Sequence, residues 1–143
     1  MYKIDTTYLN RCVLTLEKAL SELKKSNVED INYDLYRSAC VKEFEIIIEQ
    51  SGKLLKKCLK PYFSSPKEVD SLYFKDIFRN AAKHDILNPE ETKRWLEYRD
   101  NRNLTAHDYG EGFAEETLIL LPQFIKDSKS LIISIDKQND NIQ

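Results

Sequence analysis

The stretch Arg99-Asp-Asn-Arg-Asn-Leu-Thr-Ala-His-Asp-Tyr109 gathers two arginines, one of the two histidines, two asparagines and a tyrosine within eleven residues. An arginine with a histidine suits phosphodiester chemistry. The planar guanidinium grips a phosphate by two edges and stabilises the extra negative charge of the transition state. The imidazole moves a proton near neutral pH. A histidine near a helix C-terminus is held toward its charged form by the helix dipole, and Asp108 pulls the same way. No cluster of carboxylates with histidine suggests a magnesium or zinc site, so the reaction expected here uses no metal. The 2′-hydroxyl of RNA would then serve as internal nucleophile, with His107 as base or acid.

Spacing limits how these groups can meet. On a helix Arg99, Asn103 and His107 fall at i, i+4 and i+8 and share one face, whereas Arg94, Tyr98 and Arg102 share another. Arg102 and His107 lie about 140° apart around an ideal helix. A straight helix does not bring them together; either it unwinds toward Gly110, or two copies meet across a dimer interface. A structural role competes with the chemical one, because Arg and His at a helix end can cap carbonyls and pair with Asp100, Asp108 or Glu111. Spacing alone favours that role. The pattern also occurs upstream, in Arg79-Asn-Ala-Ala-Lys-His84, with an asparagine again following the arginine. That copy lacks a tyrosine two residues after its histidine and runs into Ile86-Leu87, so His84 reads as a helix-end residue.

The elements that carry the stretch are helical. Leu9, Cys12/Val13, Leu16, Ala19/Leu20 and Leu23 recur at three and four residues, predicting a helix over 6–26. A longer stripe from Tyr36 through Phe44, Ile47/Ile48, Ser51 and Leu55 to Leu59 predicts a second over 32–60. Its wet side carries Glu43, Glu45, Glu49 and Lys53. Gly52 in its middle costs about 1 kcal/mol against Ala and implies a close helix crossing. The basic end (Lys53, Lys56, Lys57, Lys60) complements the helix dipole. Ser65-Pro66-x-Glu68 and Asn88-Pro89-x-Glu91 both read as capping boxes with proline at the first helical position. They start a third helix running to about Asp85 and a fourth carrying Trp95, Tyr98 and the polar stretch. The fifth, Gly112 to about Asp136, shows Ala114, Leu118, Leu121, Ile125, Ser128, Ile132 and Ile135 on one face, with Pro122 expected to kink or restart it. The expected fold is all-α: an antiparallel bundle of about five helices, one domain over 1–138 and a disordered tail over 139–143.

Composition agrees. The chain has 143 residues, three glycines and four prolines, too few tight-turn residues for a sandwich or barrel. Lys+Arg of 22 against Asp+Glu of 24 gives no global basic field, so a nucleic-acid contact must be local. Cys12, Cys40 and Cys58 are odd in number and lack metal-site spacing, which implies reduced, buried thiols and a cytoplasmic setting. The longest apolar run, Leu118-Ile-Leu-Leu121, cannot span a bilayer, and the N-terminus has no apolar signal core, so a soluble protein is expected.

The form Arg102-Asn-Leu-Thr-Ala-His107-Asp-Tyr109 resembles the Arg-x4-His-x-Tyr signature of HEPN-domain proteins, and more narrowly the nucleotidyltransferase substrate-binding proteins. The likeness extends to Val41-Lys-Glu-Phe-Glu-Ile-Ile-Ile-Glu49, to Phe78–Leu87 and to Pro89–Trp95, and so covers most of the chain. It implies a HEPN-like bundle forming a homodimer, with two Arg-His sets facing each other, which would remove the 140° difficulty. It also implies a type VII-like toxin–antitoxin pair, in which the HEPN toxin is a metal-independent endoribonuclease without cofactor or metal. Its antitoxin would be a cognate minimal nucleotidyltransferase that silences it by adenylylating a tyrosine. Carried over, Arg102 and His107 are the catalytic pair, Asn103, Arg99 and Tyr98 supporting residues, and Tyr109 the modified tyrosine. RNA is the substrate, with neither DNA specificity nor a membrane expected. The older family name implies the alternative of a non-catalytic subunit presenting substrate to the nucleotidyltransferase. One departure stands out: relatives tend to have Gly-Leu-Ile before the fourth helix where this chain has Asp85-Ile-Leu87.

Overall fold

The computed structural model describes residues 3–105 and 111–140. These form six α-helices and one 3-10 turn, with no strand among them: α1 (Thr7–Lys25), α2 (Ile31–Leu59), the turn Lys60–Tyr62, α3 (Pro66–Asp70), α4 (Phe74–Lys83), α5 (Pro89–Thr105) and α6 (Glu111–Asp140). The bundle is organised on α2, which packs against α1, α4, α5 and α6. Its predicted stripe is the buried one: Cys40, Phe44, Ile47, Ile48, Ser51, Leu55, Cys58 and Leu59 are inside. Burial drives the Cys40 thiol up to about 11 and Cys58 to about 12, so both behave as small apolar groups.

An aromatic cluster joins four helices around the middle of α5. Phe44 of α2 lies 4.7 Å from Phe124 of α6, and Phe78 of α4 stacks at 5.2 Å on Trp95 of α5. Tyr98 closes the set edge-on to Phe124 at 4.9 Å. Edge-to-face and offset aromatic pairs at these distances contribute beyond their area burial. They fix the rotation of α5, and so decide which of its side chains face α2.

The third predicted helix is two helices. Ser71 donates its hydroxyl to the Glu68 carbonyl at 2.7 Å and its N–H to the Lys67 carbonyl, closing α3 after five residues. Such local side-chain bonds compete with helix continuation. Tyr73 is then extended (φ −76°, ψ 162°) before α4 begins at Phe74. The Ser65 box is half closed: its hydroxyl accepts from the Glu68 N–H, but the Glu68 carboxylate takes the Ser64 hydroxyl. The Asn88 box is complete, with Glu91 N–H on Asn88 Oδ1 at 2.7 Å and Asn88 N–H on Glu91 Oε1 at 3.3 Å.

Helix α4 ends in a Schellman motif. The Ile86 N–H returns to the Ala81 carbonyl and the Asp85 N–H to that of Ala82, with Asp85 at φ 59°. The departure from glycine at this position therefore falls on a left-handed residue, a conformation Asp tolerates better than most side chains. Helix α6 runs through Pro122 without restarting, the proline lying on its exposed side. It also passes the expected boundary at 138. The Asn139 side chain clasps the backbone of Ile4, accepting its N–H at 2.7 Å and donating to its carbonyl at 2.8 Å, which ties the last turn to the start of the chain.

Candidate phosphate-holding site

Helix α5 has few apolar residues, and specific polar contacts to three neighbours add to the packing of Trp95 and Tyr98. Arg94 forms a two-point pair with Asp127 of α6, Nε to Oδ2 at 2.8 Å and Nη2 to Oδ1 at 2.9 Å. The Tyr98 hydroxyl donates to Asp127 Oδ2 at 2.6 Å, and Gln123 donates to Oδ1. Burial alone would raise the Asp127 carboxyl, but hydrogen bonds from Arg94, Tyr98 and Gln123 outweigh it and hold the group below its ordinary value. Burial and the same carboxylate push the Tyr98 phenol far up, so it stays a donor. Further along, the Thr117 hydroxyl of α6 donates to Asn101 Oδ1 at 3.0 Å, and Lys75 of α4 reaches Asp100 at 2.9 Å.

On the α2 side the two arginines of the polar stretch come together. Arg99 Nη1 donates to Glu49 Oε1 at 3.0 Å, and Arg102 Nη2 lies 3.4 Å from the same oxygen. Three residues apart, the two Cα positions differ by about 60° around the helix, which long side chains bridge. The Arg99 guanidinium also stacks over the Phe74 ring, its Cζ 4.7 Å from the centroid. Phe74 in turn sits on Gly52: a Cβ there would lie 3.1 Å from two of its ring carbons. The space that Gly52 leaves is taken by this side chain of α4, where the sequence suggested a close crossing of helices.

Of the sequence-predicted residues, Arg99 and Arg102 are brought together and Asn103 is exposed on the same helix. Tyr98 is not with them; its hydroxyl is turned to Asp127 in the interior, 2 % exposed, where it holds α5 to α6. His107 and Tyr109 lie outside the described residues. The upstream copy of the pattern does not form a site. Arg79 pairs with Asp76 at 3.8 Å, while His84 caps α4 and stacks on Tyr62 at 4.0 Å. Glu49 was legible only as part of a wet face, and sequence reasoning missed Asp127. Glu49 is 50 residues from Arg99 in sequence and Asp127 is 33 from Arg94, and nothing local signals either pairing. Among the described residues no three of His, Cys, Asp and Glu gather as a metal-holding group. No helix there is long and apolar enough to cross a membrane.

Comparison with known proteins agrees with this fold. A probable ribonuclease HepT of Haemophilus influenzae is 24% identical over 141 residues, covering 96% of this chain and 95% of the relative. A solved Haemophilus influenzae structure, described as the fold of a substrate-binding domain of a nucleotidyltransferase, superposes with TM-score 0.79 at 22% identity, over 92% of this chain and 99% of that one. A crystal structure from Thermus thermophilus gives TM-score 0.61 at 27% identity, over 84% of this chain and 98% of that one. The sequence profile described as "nucleotidyltransferase substrate binding protein like" matches residues 7–137, and the chain belongs to that family.

Proposed function

We propose that this protein is a metal-independent endoribonuclease, the toxin of a pair whose antitoxin is a minimal nucleotidyltransferase. The observation that carries the reading is the gathering of Arg99 and Arg102 on α5, in the turns that lead into His107-Asp-Tyr109. Membership of the family and the name of the Haemophilus influenzae relative support it. In the proposed reaction His107 takes the proton of an RNA 2′-hydroxyl, and the freed oxygen attacks the adjacent phosphorus. The bond from phosphorus to the 5′-oxygen breaks, and that oxygen leaves with a proton returned by an imidazolium. A 2′,3′-cyclic phosphate and a 5′-hydroxyl result. Arg102 stabilises the extra charge on the phosphoryl oxygens throughout. Two chains supply the site, as the family resemblance implies, and adenylylation of Tyr109 silences it. Wild-type protein should cleave RNA in the presence of EDTA, and Arg102→Ala and His107→Ala should not. RNA left intact by the wild type across a range of pH refutes the reading.

A second reading is favoured by the family description itself: a non-catalytic subunit that docks the nucleotidyltransferase and offers it Tyr109 or a bound ligand. It expects co-purification with a co-expressed nucleotidyltransferase and an AMP mass gain lost in Tyr109→Phe. Neither appearing would remove it.

A further inference from the structure

Glu49 has no place in the expected chemistry, yet it is the group on which Arg99 and Arg102 converge. Two guanidiniums repel each other, and side chains this long lose considerable rotamer freedom when held. They share one carboxylate oxygen here, at 3.0 and 3.4 Å, and all three side chains are partly exposed, at 25% for Arg99, 27% for Arg102 and 44% for Glu49. Water reaches part of each of them. Helix α4 braces the cluster. Gly52 lets an edge of the Phe74 ring come close to α2, the ring supports the Arg99 guanidinium, and Arg99 reaches Glu49 three residues before Gly52. A carboxylate offers the same planar pair of acceptors as a phosphate edge.

We propose that Glu49 is a positioning residue: its carboxylate gathers Arg99 and Arg102 into one guanidinium pair and goes on holding them while a backbone phosphate of RNA competes for their positive charge through their other N–H groups. The inference rests on the reading of Arg102 as the group that holds phosphate. It makes Arg99 the second half of that grip. Glu49 touches no reacting atom and acts through the arginines.

Two effects of opposite sign follow from removing its charge. Glu49→Gln keeps the shape but ends the competition with phosphate, so a non-cleavable 2′-O-methyl oligoribonucleotide should bind about threefold to tenfold more tightly at low salt. The same variant leaves the guanidiniums ungathered at turnover, so kcat should fall by about tenfold. Glu49→Asp keeps the charge and should stay within about threefold of wild type in both. A role confined to stability would lower the melting temperature of Glu49→Gln and leave oligonucleotide affinity alone, and that result overturns the proposal. Weaker binding by Glu49→Gln, or binding by no variant, does so too. If wild type cleaves RNA and Glu49→Gln matches it in kcat and affinity, the ribonuclease reading stands and Glu49 is a bystander. If wild type cleaves nothing but Glu49→Gln still binds more tightly, the positioning role stands and the ribonuclease reading fails.

Discussion

At the residue scale, each arginine of the polar stretch has a partner that the local sequence does not announce. Helical spacing placed Arg99 and Arg102 on adjacent faces; the acceptor that unites them, Glu49, stands a full helix away. Gly52 is the counter-example, since a glycine in a long helix needs a steric reason, and the reason here is the Phe74 ring resting where a Cβ would stand. Asp85 is another position with a local explanation. A left-handed residue at the C′ position of a Schellman motif favours glycine, so Asp85→Gly should raise stability by about 0.5–1 kcal/mol in urea unfolding. A loss of stability would show that the Asp85 side chain contributes more than its backbone strain removes.

At the scale of elements, most of the helices were legible because apolar periodicity and capping residues are local properties. The stripes of α1 and α2 and the complete Asn88 box are examples. The break between α3 and α4 was not legible, since Leu72 and Phe74 continue an apolar face on paper while Ser71 diverts the backbone through hydrogen bonds of its own. The attachment of α5 was hidden for a different reason: Arg94 and Asp127 are ordinary surface charges until α5 and α6 pack. That attachment gives a pH dependence. Asp127 titrates lower folded than unfolded, so its contribution is complete above the unfolded carboxyl value of about 3.9 and is lost as pH falls through the folded one. Asp127→Asn should lose about 2 kcal/mol near neutral pH, where Arg94 keeps only a weakened partner. The gap between variant and wild type should then close below about pH 4. A gap that stays constant down to about pH 3 would contradict the role of the carboxylate.

At the scale of the whole molecule, α2 and the aromatic cluster form the frame, and α5 carries the polar stretch to one end of it. The fold class was readable from composition and periodicity; the site was only half readable, because half a site is what one chain supplies in the proposed reading. A dimer in which Arg102 of one subunit serves His107 of its partner has a distinctive consequence. Arg102→Ala and His107→Ala, each inactive alone, should regain activity when unfolded together and refolded. Half of the dimers would be mixed and each mixed dimer would hold one intact site, so about a quarter of wild-type activity should return. No recovery, in a mixture shown to contain mixed dimers, would place both groups of each site on one chain.

The most direct test is cleavage of RNA in EDTA, with product ends identified by mass. Wild type should give 2′,3′-cyclic phosphate and 5′-hydroxyl ends. Arg102→Ala and His107→Ala should give none while keeping melting temperatures close to wild type. Uncleaved RNA with wild type, or the same products from either variant at the wild-type rate, would contradict the assignment of Arg102 and His107 as the catalytic pair.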